Sequence, residues 1–258
     1  MITKLNFTDR TIKSYAIRKL TPKECFRLMG VRDNVIGTMQ SSNAQAAERL
    51  PDWKGKGKPE DMAVSASQQY KQAGNSIVVD VLGHIYEQLF YPKPNLRKFR
   101  QLSLFTDTGD YLPDMPKNLD DSAEEKIFLT TFSGYDSQLM AADVLKEWHP
   151  NFRWTCKGWS DIDKYACLMH NLVFPQFADC ALGDITKIDW HAVKRSLYGR
   201  EVDLFTYSSP CQDISQAGKQ MGLQEGSDTR SALLWRVGRC RGGVAPQISL
   251  AGERGGIG

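Results

Sequence analysis

From residue 126 to residue 208 the chain switches repeatedly between short apolar runs and helical patterns, and this alternation most constrains its fold. KIFLTTF (126–132) reads as a strand, SGYDS as a turn and QLMAADVLKEW as a helix. FRWTCKGWS then reads as a second strand with DID at its end, and KYACLMHNLVF as a helix. A short third strand is expected near ADCAL, leading into GDITKID, and VDLFTYS is a fourth that runs into Pro210, Cys211 and Gln212. Strands alternating with helices, each strand ending in polar residues, predict a doubly wound, Rossmann-like α/β sheet. In such sheets ligands bind beyond the carboxyl ends of the strands. Cys211 therefore stands where this architecture places chemistry.

The first 90 residues read differently. RKLTPKECFRLMG (18–30) is a punctuated helix: Thr21 as N-cap, Pro22 at the first helical position, Glu24 completing a capping box and Gly30 as the stop. Residues 37–62 read as a loop with one weak helix. Residues 67–90 read as two helical pieces divided at Gly74-Asn75-Ser76, the second with an apolar face of Ile77, Val78, Val81, Leu82, Ile85 and Leu89. Residues 91–124 are rich in Pro, Asp and Asn without periodicity and read as a linker.

Composition sets outer limits. The net charge of +3 on 258 residues permits contact with nucleic acid without arguing for it. Polar residues interrupt every apolar run well short of the ~18 positions a membrane span needs. The opening residues lack the apolar stretch of a signal peptide, so a cytoplasmic protein is expected. The six cysteines are scattered with no CxxC pair, which predicts reduced thiols, no structural zinc and no metal site.

Taken singly, each polar turn has a plain reading. GYDS is a common turn. Asp161 and Asp163 both qualify as ribose ligands or as members of a solvated loop. Asp184 can cap the next helix, Asn75 can be a turn residue, and a lone cysteine is more often buried as a small apolar side chain.

Together, FSGYDS, DID, GDIT and SSPCQDIS in this order at strand ends resemble the DNA cytosine-5-methyltransferase family. RKLTPKECFRLMG and QQYKQAGNSIVVDVL are similar to that family's ninth and tenth motifs, here placed before the first. The resemblance implies a circularly permuted, S-adenosylmethionine-dependent methyltransferase. Residues 1–90 would carry the permuted motifs, 91–124 the linker, 125–235 the cofactor-binding and catalytic half-domain, and 236–258 an aberrant tail. It implies that Cys211 is the nucleophile, with Pro210 beside it. Phe132, Gly134 and Tyr135 would line the cofactor, and Asp161 would hold its ribose with Ile162 against adenine. Asp184 and Ile185 would read the adenine edge, and Asn75, Ser76 and Ile77 would close over the site from the other end of the chain. The implied substrate is double-stranded DNA with a flipped cytosine, in a bacterial or phage-infected cell, with a restriction endonuclease as a possible partner system. One departure stands out: Asp136 and Ser137 occupy the place of the family's second glycine, which reshapes the methionine end of the pocket.

After Trp235 the family offers a strand ending in Glu-Asn-Val, then an Arg-x-Arg motif and a target-reading region. This chain has RVGRCRGGVAPQISLAGERGGIG instead, a Gly- and Arg-rich stretch without a period, expected to build no core strand and to leave the sheet incomplete. A basic tail for DNA is the plain reading. A sharper one is a reading-frame slip. Gln247 to Arg254 can be encoded so that reading one base later spells Arg-Tyr-Leu-Leu-Leu-Glu-Asn-Val, which places a one-base insertion near codon 236. As written the chain is expected to be a truncated, inactive methyltransferase. The alternatives are a non-catalytic S-adenosylmethionine-binding remnant or half of a split enzyme.

Overall fold

The computed structural model describes residues 18–41, 43–50, 64–92, 124–208 and 248–251. Residues 93–123 of the expected linker and Cys211 lie outside these residues. Five helices come first: α1 (Pro22–Leu28), α2 (Asp33–Gln40), α3 (Ala44–Glu48), α4 (Ala66–Gly74) and α5 (Val79–Phe90). The α/β part follows as β1 (Lys126–Thr131), α6 (Ser137–Trp148), β2 (Trp154–Ser160), α7 (Lys164–Val173), a 3-10 turn (Pro175–Cys180), α8 (Trp190–Ser196) and β3 (Leu204–Tyr207). The last described element is β4 (Ile248–Ala251).

The sheet order is β2-β1-β3-β4 with every pair parallel. The chain winds from β1 outward to β2 and then crosses back to β3, so the sheet has its topological switch point between β1 and β3. β1 is buried along its whole length, as expected of a central parallel strand covered on both faces. Its side chains divide by the period-two rule. Phe128 joins a large apolar cluster with Phe26, Tyr86, Leu139 and Leu145. Ile127 and Leu129 join a second cluster with Val193, Val202 and Phe205 on the α8 side. The first cluster draws on α1, α2, α5, α6 and α7 together, so the N-terminal helices share one core with the sheet.

Local chemistry explains the first helix. Thr21 Oγ1 accepts from Glu24 N at 3.3 Å and Thr21 N donates to Glu24 Oε2 at 2.7 Å, closing the expected capping box. Gly30 ends the turn at φ 76°. A methyl group there would meet Asp80 Oδ2 at 3.0 Å, so the start of α5 can approach only a glycine. Val79 N donates to Met29 O at 2.9 Å and completes that junction.

Four expectations need correction. Residues 37–62 were expected to be a loop with one weak helix, yet α2 runs through Gly37 and Thr38 and α3 follows. Burial of Ile36 and Met39 outweighs the poor local propensity. The buried face of α5 is Val79, Leu82, Gly83, Tyr86 and Phe90, whereas Val81 and Ile85 from the expected face are 53% and 40% exposed. Near ADCAL there is no strand: a 3-10 turn occupies Pro175–Cys180, and Ala181 makes one parallel bridge to Trp159. Finally, the tail does contribute a strand. β4 pairs with β3 from Leu204↔Ile248 to Tyr207↔Ala251, the alternation of Ile248 and Leu250 sufficing for a short ladder.

Candidate functional site at the carboxyl edge of the sheet

The turn after β1 is the most constrained backbone in the described chain. Phe132 sits at φ 53° and Asp136 at φ 66°, with Gly134 between them at φ 62°. Positive φ is uncommon outside glycine, and two such residues within one turn mean that surrounding contacts hold it. Those contacts are visible. Ser133 N donates to Ser160 O at 3.0 Å, and Ser160 N donates back to Ser133 Oγ at 3.2 Å. Gly134 N donates to Asp161 Oδ2 at 2.8 Å. The turn after β1 is thus stitched to the end of β2.

Asp161 is nearly buried, and its Oδ1 accepts from Asp163 N at 2.9 Å. The next residue, Ile162, is 76% exposed. Asp163 caps α7 through Tyr165 N at 2.9 Å and also takes Lys71 Nζ from α4 at 3.0 Å. The third turn is fixed by Leu182 N on Trp159 O at 2.7 Å and Ser160 Oγ on Gly183 O at 2.7 Å. Asp184 follows. Partial burial raises its carboxyl pKa, but hydrogen bonds from Thr186 N and Oγ1 at 2.9 and 2.8 Å outweigh that and hold it below the ordinary value. Ile185 is buried in the second apolar cluster, so only its backbone is available to a ligand.

The N-terminal segment reaches the same edge. Asn75 caps α4, Ile77 packs against the main core, and Ser76 accepts a short hydrogen bond from the Tyr135 hydroxyl. The Tyr135 side chain is itself buried, edge-on to Phe26 at 5.5 Å. At the end of β3, Ser208 N donates to Thr131 O at 3.3 Å, and Ser208 Oγ accepts from Gln138 Nε2 at 2.7 Å. Sequence reasoning missed Gln138. Its signal was a polar residue opening an otherwise apolar helix. Pro210 and Cys211 lie outside the described residues. In sequence they follow Ser208 and Ser209.

A family model described as C-5 cytosine-specific DNA methylase matches residues 2–91 and 135–249, together most of the chain. The chain belongs to that family. Matches to individual DNA methylases are shorter. The orphan methyltransferase M.SssI of Spiroplasma monobiae is 46% identical over 70 residues, 22% of this chain and 18% of that protein. The type II methyltransferase M2.ScrFI of Lactococcus lactis subsp. cremoris is 53% identical over 53 residues, 20% of this chain and 13% of that one. The orphan methyltransferase M.Rho11sI of Bacillus phage rho11s is 41% identical over 85 residues, 31% of this chain and 14% of that one. The matched stretches thus span less than a fifth of each of these three relatives.

The methylase fold is typical of S-adenosylmethionine-dependent enzymes, and the residues present suit an adenosine group. A carboxylate held by two N–H donors lies beside an exposed apolar side chain at the carboxyl end of a parallel strand. Asp136, at the start of α6, is turned into the fold. Its carboxylate is fully buried, accepting from Leu139 N at 3.1 Å and Thr130 Oγ1 at 2.9 Å, with His170 Nε2 at 3.4 Å. His170 is buried too, stacked on Trp159 at 3.8 Å. The aspartate is a left-handed N-cap anchored from inside the fold. Among the described residues, no helix is long and apolar enough to cross a membrane.

Proposed function

We propose that the chain is the cofactor-binding and catalytic part of an enzyme that transfers a methyl group from S-adenosylmethionine to C5 of cytosine in duplex DNA through a covalent bond from Cys211, inactive as written. The observation that carries this reading is the convergence of the β1 turn, Asp161 and Ser76 on one sheet edge, supported by the Pro210-Cys211-Gln212 motif that follows β3 in sequence. Asp161 is the acceptor for the ribose hydroxyls and Ile162 the apolar face for adenine. Asp184 and the Ile185 backbone meet the adenine edge, and the backbone of Phe132, Gly134 and Tyr135 lines the turn. Asn75, Ser76 and Ile77 supply the cover.

The bound cofactor supplies an electrophilic methyl group on a sulfonium. Cytosine C5 is a weak nucleophile. The Cys211 thiolate forms a bond to C6 and pushes an electron pair onto C5. C5 takes the methyl as the sulfonium C–S bond breaks. Loss of the C5 proton then expels the thiolate and restores the base. A free thiol titrates near ~8.5, so Cys211 needs local donors to ionise. The base must also leave the stack, because C6 is unreachable within the duplex. DNA carrying 5-fluorocytosine cannot lose a proton from C5, so the frame-restored protein should form a stable covalent complex with it in the presence of S-adenosylmethionine. Cys211→Ala should form none. A complex that survives the substitution rules out Cys211 as the nucleophile.

We further infer that the gene is read one base out of frame after about codon 236, and that activity depends on the restored frame. Strands of a parallel sheet covered on both faces are near-continuously apolar as a rule. As written, β4 reads Ile-Ser-Leu-Ala, with Ser249 opposite Phe205. In the shifted frame the same four positions read Tyr-Leu-Leu-Leu and run directly into Glu-Asn-Val, whose Glu would hold cytosine N3. Sequencing the gene decides this: bases that give no Glu-Asn-Val in the shifted frame end the proposal.

A further inference from the structure

Two contacts tie the N-terminal segment to the candidate cofactor edge, one at each side of Asp161. On the first side, the Tyr135 hydroxyl donates to Ser76 Oγ, and Ser76 Oγ in turn donates to Ile77 O at 3.1 Å. The direction of this relay is fixed. Burial pushes the Tyr135 phenol pKa well up, only partly offset by Ser76, so the phenol stays protonated, and with the Ser76 proton on Ile77 O the Tyr135 hydroxyl is the donor of the pair. On the second side, Lys71 at the end of α4 meets Asp163 Oδ2 at 3.0 Å. The two contacts converge. Gly134, next to Tyr135, donates its N–H to Asp161 Oδ2, and Asp163 donates its N–H to Asp161 Oδ1. Both oxygens of the carboxylate are thereby oriented by residues that the segment from α4 to Ile77 grips.

We propose that Tyr135 is a positioning residue whose hydroxyl latches the Gly74–Ile77 segment onto the β1 turn and so sets the affinity of the site for the adenosyl cofactor. Its side chain is buried against Phe26, and it acts through Ser76 and through the turn that holds Asp161. Lys71 is the weaker, outer half of the clasp, since its ion pair is largely exposed and screened by salt. The proposal rests on the cofactor reading above.

The test uses the full chain and S-adenosylhomocysteine as probe, by calorimetry, at a temperature where circular dichroism shows every variant folded. Tyr135→Phe keeps the ring against Phe26 and removes only the hydroxyl. Its affinity should fall about fivefold to tenfold, the equivalent of one buried hydrogen bond. Ser76→Ala, at a half-exposed position, provides the second variant should Tyr135→Phe fold poorly. The double variant should be no worse than the weaker single one. Lys71→Gln should lose no more than about threefold at low salt and nothing at high salt. A merely structural tyrosine would lower the melting temperature and leave the affinity of the folded protein unchanged. Tyr135→Phe binding within about twofold of the parent, or additive losses in the double variant, would overturn the clasp while the cofactor reading stands. No binding by the unsubstituted chain would overturn both.

Discussion

Asp136 combines a left-handed backbone with the N-cap of α6. A left-handed backbone costs an ordinary L-residue roughly 1–2 kcal/mol, and loss of a helix N-cap costs about 0.5–2 kcal/mol. Asp136 meets both demands at φ 66°, with its carboxylate on Leu139 N and Thr130 Oγ1. Denaturant unfolding should therefore rank the variants: Asp136→Asn mildest, Asp136→Gly intermediate and Asp136→Ala worst, at about 2–3 kcal/mol. Equal losses in all three would show that the carboxylate, rather than the backbone, carries the effect. A second residue-scale test lies at the other end of the sheet. Asp203 Oδ2 accepts from Ile127 N at 2.7 Å while its Oδ1 faces Lys126 Nζ at 3.5 Å, in a largely buried pair. Asp203→Ala leaves a buried backbone N–H and an ammonium without their acceptor and should cost about 3–5 kcal/mol by the same measurement.

At the scale of elements, α5 carries the clearest lesson. Two apolar stripes run along it, and periodicity alone selected the one through Val81 and Ile85. The packed stripe is the other, because Gly83 lets α5 close on α6: a methyl group there would lie 3.1 Å from Val144 Cγ1 and 3.2 Å from Trp148 Cη2. Gly83→Ala should be near neutral, gained helix propensity offsetting crowding, whereas Gly83→Leu should destabilise by about 1–3 kcal/mol. A tolerated leucine would mean the helices do not pack through Gly83. The elements legible in sequence were those with strong local signals: the Thr21–Glu24 capping box, the break at Gly74–Ser76, and the strands of β1, β2 and β3. What was not legible depended on tertiary context. α2 has weak propensity and is held by burial of Ile36 and Met39, and Ala181 contributes one bridge rather than a strand. The turn residues after β1 and β2 were nameable through the resemblance of their motifs. The burial of Tyr135 and Ile185 was not, since nothing local shows which side of a turn a side chain takes.

For the molecule as a whole, a shared core is the main consequence of the N-terminal helices. Phe26, Tyr86 and Phe90 pack in the same cluster as Phe128, Leu139 and Phe152, and Arg32 joins Asp80 and Glu147 across the junction at 2.9 and 3.2 Å. The segment before residue 91 and the sheet should unfold in one transition, with tryptophan fluorescence and far-ultraviolet circular dichroism coincident. Phe90→Ala should lower that single transition by about 3–5 kcal/mol rather than split it. Two separated transitions would mean that the halves are independent domains. The same integration lets residues 75–77 reach the sheet edge from the opposite end of the chain, so that the order of motifs in sequence does not prevent one site from forming.

The decisive measurement is 5-methylcytosine in the DNA of a methylation-free host expressing this gene. It needs three arms: the gene as written, the gene with its frame restored near codon 236, and the restored gene with Cys211→Ala. The expected result is methylation in the restored arm alone. Methylation from the gene as written would contradict the frame slip. Methylation that persists with Cys211→Ala, or none from the restored gene, would contradict methyl transfer to cytosine through Cys211.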